Sequence, residues 1–348
     1  MKTTHLFGGM LLCLVCILFT GCSVIDEDLS DCQQNFTVHY AVRLRTQLTT
    51  QIATQLGTRF NDPKEAELAA LLEDSLKNVF SEFAHDVDLS FYKNGQRSFR
   101  QQDDMEANQA VYELELPADN YRHLALANFG LEPNVERLAG DNQNTAYVHQ
   151  IESSEWTAHK AGLFSARKDM DILGNIDQTF DVTLYMINSA SILIIRTDRA
   201  VVDYRDIRVT SCDFADGFYI NDSTFTYNND RTVQDLRVTT PPVEREVFYS
   251  ITFPSCDTPE EAQQHFGTRA GGQTGAQDYD RIWRKIVYVT MPDGSITRTI
   301  INVRQPLKAG DVFIIYAYLN NDGTITSPNV EVGTSVTLNW QEGLNVGN

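Results

Sequence analysis

Cysteine is scarce in this chain and tryptophan scarcer, with six and three among 348 residues. Past residue 22 only Cys32, Cys212 and Cys256 remain, and no two of them have C-x-x-C spacing, so a zinc ribbon or thioredoxin-type redox pair is excluded. Basic residues are also few, 28 against 47 acidic ones, for a net charge of −19. That balance argues against nucleic acid and against electrostatic attraction to anionic lipid. Catalytic signatures are missing: there is no Gly-x-Ser-x-Gly elbow, phosphate-binding loop, dinucleotide fingerprint or His-Glu-x-x-His. His39, His85, His123, His149, His159 and His265 are scattered, with no pair at metal-ligand spacing. No cofactor or metal is implied, and nothing in the residues argues for an enzyme. Carboxylate pairs for glycoside hydrolysis are set in three dimensions, so chance pairs in so acidic a chain carry no weight.

Only one long apolar run is present, and it lies at the start. Lys2 is followed by Leu6 to Phe19, then Thr20, Gly21 and Cys22. A short apolar run behind a basic residue, closed by small residues, is the pattern of a removable signal peptide. It is shorter than the roughly 20 apolar residues a membrane span needs. Leu18-Phe19-Thr20-Gly21-Cys22 resembles a bacterial lipobox, with Phe19 where such boxes usually carry Leu. That resemblance implies a lipid on Cys22 and loss of residues 1–21. The alternatives are an ordinary signal cut elsewhere and a short membrane anchor. Residues 22–34 then form a tether whose Asp26, Glu27 and Asp28 resemble the surface-export signal of Bacteroidetes lipoproteins.

The remainder reads as mainly all-β. Hydrophobic residues make up 42% of the chain, enough to build cores. Period-two alternation, the mark of half-buried strands, runs through Phe36–Leu44, Val87–Phe91, Tyr112–Leu116, Phe180–Met186, Val247–Phe253, Val312–Tyr318 and Val336–Trp340. Lys285–Thr290 and Ile296–Val303 flank Pro292-Asp293-Gly294 as a hairpin. Many short strands between turn signals point to β-sandwiches. One segment departs: from Asp62 and Pro63 to Phe83, Leu68, Leu71, Leu72, Leu76, Val79, Phe80 and Phe83 form a helical stripe, read as a crossover helix packed on a sandwich edge. A boundary near residue 185 divides an N-terminal sandwich, 35–185, from a C-terminal one, 186–348. Cys256 to Asp280 reads as a long surface loop.

Weaker signals remain. Cys212 and Cys256 share one half of the chain and are the possible disulfide. Asp169-x-Asp171 and Asn320-Asn321-Asp322 offer oxygens of the kind Ca²⁺ takes, but no supporting set is visible and turn chemistry is the better reading. Asp74-Ser75-Leu76 and Asp222-Ser223-Thr224 resemble the Bacteroidetes O-glycosylation acceptor, Ser223 being the better placed.

After Cys22 the chain runs Asp26-Glu27-Asp28-Leu29-Ser30-Asp31-Cys32 and then enters the Phe36–Tyr40 strand. This arrangement resembles the FimB-like family of lipidated minor anchor subunits of Bacteroidetes type V fimbriae. Leu116-Pro117 with Tyr121 and Ala127-Asn128, Leu163-Phe164, and Val182-Thr183-Leu184 running into Ile192–Ile195 are similar to later family segments. Leu126 stands where the family usually has an aromatic. The resemblance implies two tandem transthyretin-like β-sandwich domains, a lipid anchor in the outer membrane facing the cell surface, and a role in seating a fimbrial shaft. It also implies partners that join by strand complementation, in which main-chain hydrogen bonds give affinity and alternate side chains give specificity. Val336, Leu338 and Trp340 have the pattern a donor strand would need, and the last strand of the chain's own second sandwich is the alternative their pattern favours. The first arginine after the tether is Arg43, inside the first strand, so no cut site that would free a groove is evident. The main alternative is a surface glycan-binding lipoprotein of a polysaccharide-uptake system, which would display aromatic platforms. For these, Trp156, Trp283, Trp340 and 14 tyrosines are available.

Overall fold

The computed structural model describes residues 35–45, 63–77, 84–105, 111–138, 140–151, 153, 156–174, 176–197, 203–227, 232–239, 244–267 and 280–338. The strands of the first half are β1 (Asn35–Arg45), β2 (Asp86–Lys93), β3 (Gln96–Asp104), β4 (Val111–Pro117) and β5 (Asp119–Ala127). They continue with β6 (Val135–Leu138), β7 (Tyr147–Gln150), β8 (Trp156–Thr157), β9 (Phe164–Ile172) and β10 (Gln178–Met186). The second half adds β11 (Ser189–Arg196), β12 (Asp206–Cys212), β13 (Gly217–Tyr219), β14 (Thr224–Thr226), β15 (Val233–Gln234) and β16 (Leu236–Arg237). It closes with β17 (Arg245–Thr252), β18 (Trp283–Thr290), β19 (Ile296–Val303), β20 (Val312–Leu319), β21 (Ile325–Thr326) and β22 (Glu331–Leu338). Two helices are described, α1 (Pro63–Leu76) and α2 (Pro259–Phe266).

Local chemistry explains most of these elements. Asn94 and Gly95, at φ 51° and 82°, make the β2–β3 turn. Two positive φ values in succession suit the right-handed twist of the strands, and Asn-Gly tolerates them. Gly294 at φ 89° does the same between β18 and β19. Helix α1 starts at Pro63, whose missing N–H costs nothing in a first turn. It buries Leu68, Ala69, Leu72 and Leu76 on one side; residues 78–83 of the expected helix lie outside the described residues. Helix α2 replaces the first part of the expected Cys256–Asp280 loop. Thr258 accepts the Glu261 N–H at 3.2 Å while the Glu261 carboxylate accepts the Asp257 N–H at 3.0 Å, a near-capping-box pattern with Pro259 in the first turn.

Among the described residues the strands form four sheets. A seven-stranded sheet runs β3-β2-β5-β9-β10-β1-β4, with β1 parallel to β10 and antiparallel to β4. A five-stranded sheet runs β16-β17-β11-β20-β21 and a six-stranded one β22-β19-β18-β12-β15-β8. The fourth, β14-β13-β7-β6, is small and takes strands from both halves of the chain. Likewise β8, from the first half, pairs in parallel with β15 from the second.

The five-stranded sheet is buried on both faces. From β11, Ile192 and Ile194 join α1 and the seven-stranded sheet in one core, while Leu193 and Ile195 join Trp283, Val287 and Ile301 of the six-stranded sheet in another. A third core lies between the other face of the seven-stranded sheet, through Leu124 and Leu126, and the small sheet, through Val148 and Phe218. Nearly unbroken apolar strands such as SILIIR are what two-sided burial requires.

Beside the third core, Glu132 is 2% exposed, and its Oε1 accepts the backbone N–H groups of Lys160 and Ala161. Its Oε2 is buried with no hydrogen-bond partner. Burial pushes this carboxyl up to about 7 against an ordinary 4.5, the two backbone donors opposing. A raised carboxyl means that the fold holds a proton the unfolded chain has released, so its contribution is full below about 4.5 and is lost as pH rises through about 7. Glu132→Gln should remove this slope, leaving the variant more stable than wild type above pH 7 by something on the order of 2 kcal/mol. Urea midpoints of both proteins at low and neutral pH check it.

Candidate functional site

The attachment and assembly features expected of the chain lie at its two ends. Cys22, the tether to residue 34 and Cys32 lie outside the described residues. At the other end, β22 is paired antiparallel with β19, with Leu338 opposite Ile296 and Val336 opposite Arg298, and a register shift between Thr299 and Ile301. In this structure Val336 and Leu338 lie in a strand of the chain's own six-stranded sheet, the other of the two roles their pattern suits; Trp340 lies outside the described residues. Strand β1 is held as firmly, flanked by β10 on one side and β4 on the other.

The segments that carried the family resemblance do structural work. Tyr121 donates its hydroxyl to the Pro117 carbonyl at 3.1 Å, closing the β4–β5 corner that Leu116-Pro117 begins. Asn128 is fully buried in a left-handed conformation, φ 63°. Its Oδ1 accepts the His85 N–H at 2.8 Å and its Nδ2 donates to the Gly162 carbonyl at 3.1 Å, so one side chain joins three segments. Asparagine suits this position because it tolerates a left-handed backbone and carries both donor and acceptor. Leu126 is buried in the third core. After Leu163-Phe164, Asn188 repeats the device, accepting the Leu163 N–H at 3.2 Å and donating to the Ala161 carbonyl at 2.9 Å.

The possible disulfide is not formed in this structure: Cys212 and Cys256 are both free, buried thiols. Cys212 ends β12 opposite Arg284, whereas Cys256 packs in the second core with Phe214 and Trp283. Burial pushes each thiol up to about 12, so neither is a ready nucleophile. Asp169 receives the Arg122 guanidinium at 2.9 Å. Asp322 is tied by the N–H and hydroxyl of Thr324 at 3.0 and 2.6 Å, which is turn chemistry. Among the described residues no group of three or more His, Cys, Asp or Glu could hold a metal ion. His123 is fully buried between the Tyr40 hydroxyl, at 2.7 Å, and the Ser90 carbonyl, at 3.1 Å; burial pulls its imidazole down to about 3. Trp156 and Trp283 are buried and present no platform. Ser75 is half-buried inside α1, while Ser223 is exposed in the β13–β14 turn.

No family model matches the chain, and no curated protein matches it by sequence. Solved structures do match. A candidate polysaccharide-binding protein of the DUF1812 group from Bacteroides thetaiotaomicron superimposes with a TM-score of 0.51 at 12% identity, covering 86% of this chain and 98% of its own. The chain shares that fold. A candidate cell adhesion protein from Bacteroides eggerthii gives 0.49 at 10% identity over 88% and 96% of the two chains. The fimbrial anchor protein Mfa2 of Porphyromonas gingivalis gives 0.45 at 10% identity over 86% and 97%. At these identities the likeness speaks to fold alone, and the last two scores are too low to argue from.

Proposed function

We propose that the chain is a lipid-anchored minor fimbrial subunit that seats or terminates a shaft at the outer membrane, with Cys22 carrying the lipid and the protein facing the cell surface. In this reading residues 1–21 are the signal, 22–34 the tether, and 35–185 and 186–348 the two β-sandwich domains. Fimbria assembly and cell adhesion are its role, and catalysis is no part of it. The observation that supports the reading is the seating of β22 along β19; in this reading that C-terminal strand is kept in its own sheet and not donated to a neighbour. With β1 also paired on both sides and no arginine ahead of it after Cys22, the chain has the properties of a subunit that ends a polymer. The Asp-Leu-Ser-Asp-Cys run between lipobox and first strand, and the two-cysteine tether, support the same position. Shaft subunits are its partners, joined by strand complementation in which the shaft supplies the extended segment and this chain an open sheet edge, through main-chain hydrogen bonds. The test is whether a β-rich fimbrial subunit is captured with the wild-type chain from surface-labelled cells, and whether fibres leave the cell when Cys22 is replaced by alanine.

A further inference from the structure

The small four-stranded sheet has one face on the third core and the other outward. Register places Leu138 of β6 opposite Tyr147 of β7, Tyr147 opposite Tyr219 of β13, and Tyr219 opposite Thr224 of β14. Period-two alternation then puts all four on the outer face in a single row. Leu138 is 49% and Tyr219 37% exposed. The Tyr147 and Tyr219 rings lie 4.5 Å apart centre to centre, and His149 stacks with Tyr147 at 5.2 Å and 13°.

Tyr147 is held in place and the sequence makes room for it. Its hydroxyl bonds the Thr226 hydroxyl at 2.7 Å, and Thr226 in turn donates to the Asp216 carboxylate at 2.8 Å. Its ring lies over Gly217, where an added Cβ would fall 2.0 Å from the tyrosine oxygen. A preset ring loses little freedom when something stacks on it.

The row leads into a polar cleft. Ile220, next to Tyr219, donates to the Ala146 carbonyl, next to Tyr147; one residue further, Asn221 bonds Asn144 at 2.9 Å and accepts Arg122 Nε at 3.0 Å. Arg122 opens into a cleft of about 400 Å³ lined also by Asn94, Asn120, Gln143 and Asp169. That is within the size of small-ligand sites, roughly 300–1,000 Å³. It carries both signs: Arg122 holds Asp169, Asp171 also lines the wall, and Arg167 nearby donates to the Asn221 carbonyl at 2.7 Å.

We propose that this face and cleft bind a neutral carbohydrate chain. A pyranose ring has one apolar C–H face, which suits the exposed Tyr219 ring seated beside the fixed Tyr147, and an edge of hydroxyls, which suits amides and a paired guanidinium–carboxylate. Phosphates or uronates would meet the Asp169 and Asp171 carboxylates here, so the ligand is neutral. A flat row of four side chains falls short of the roughly 1,200–2,000 Å² that a stable protein interface buries. The site is independent of how the chain is anchored.

The test is gel retardation of the detergent-solubilised full-length protein in native gels containing dextran, yeast mannan, laminarin or galactomannan. Wild type should be retarded by at least one. Tyr219→Ala and Tyr147→Ala should each weaken that retardation at least tenfold, while Tyr219→Phe, which keeps the ring, should retain it. Since Tyr219 is exposed, its variants should melt with wild type. No retardation by any of the four polysaccharides, or retardation untouched in the Tyr147→Ala/Tyr219→Ala double variant, would overturn the assignment.

Discussion

Asp235→Ala should destabilise the protein by about 3–5 kcal/mol, the usual result of leaving one member of a buried ion pair alone. Lys285 and Asp235 are both without solvent exposure, and the ammonium donates to the Asp235 carboxylate. It also donates to Ser211 Oγ at 2.8 Å and Ser250 Oγ at 3.3 Å, and Ser211 bonds the other Asp235 oxygen at 2.6 Å. Ser191 extends the chain of hydroxyls, 2.8 Å from Ser250. Every donor here has an acceptor, which is the condition under which a buried polar cluster is tolerated. Burial pulls the Lys285 ammonium down and Asp235 opposes that shift. With the carboxylate gone the downward pull of burial dominates, so the variant's deficit should grow as pH falls and the lone lysine is forced to charge. Lys285→Met combined with Asp235→Leu removes both charges and should recover most of the loss, since replacing a whole buried pair is often neutral. Urea midpoints of the single and double variants decide it; a double variant as unstable as the single would show that the cluster's packing, not its charge, is what matters.

Truncation in the middle sheet is the other large effect. Leu193 is fully buried in the second core and its neighbour Ile192 fully buried in the first. Either change to alanine should cost about 2–5 kcal/mol through lost burial and the cavity left behind. Because one strand serves both cores, and β13 with β7 and β15 with β8 tie the halves again, the loss should spread. In a background where Trp156→Phe and Trp340→Phe leave Trp283 as the reporter, Ile192→Ala should lower the Trp283 transition even though Trp283 sits in the other core. Far-ultraviolet dichroism should follow the same curve. Two separate transitions, with Ile192→Ala moving only the one Trp283 does not report, would contradict this coupling.

The long alternating strands were readable because two-sided contrast between water and core writes itself into every second residue: β1, β2, β4, β10, β17, β18, β19 and β20 all lie where their patterns put them. Strand β3 was not, since QRSFRQQDD sits at a sheet edge and buries little. The small sheet was missed for another reason. Its strands are three or four residues long, too short to show a period, and its partners come from distant parts of the chain. The tyrosine row is therefore a product of register alone. Helix α2 had a signal, Thr258-Pro259-Glu260-Glu261, hidden by the glycine-rich run after it. Pairing of Cys212 with Cys256 could not be judged from spacing, because it depends on which core each thiol enters. The sequence motif residues Tyr121 and Asn128 were legible as important, and only the hydrogen bonds show that their importance is to hold the fold.

The central claim, that this chain ties a fimbria to the cell, is tested most directly by fractionating cells that carry Cys22→Ala. The expected result is the protein in soluble fractions and the culture medium, with fibres shed into the medium and a fimbrial subunit still captured with the wild-type chain from surface-labelled cells. Fibres that stay on the cells in normal number while the variant is absent from the outer membrane would contradict the anchoring role, and a variant that remains membrane-bound would contradict lipidation at Cys22.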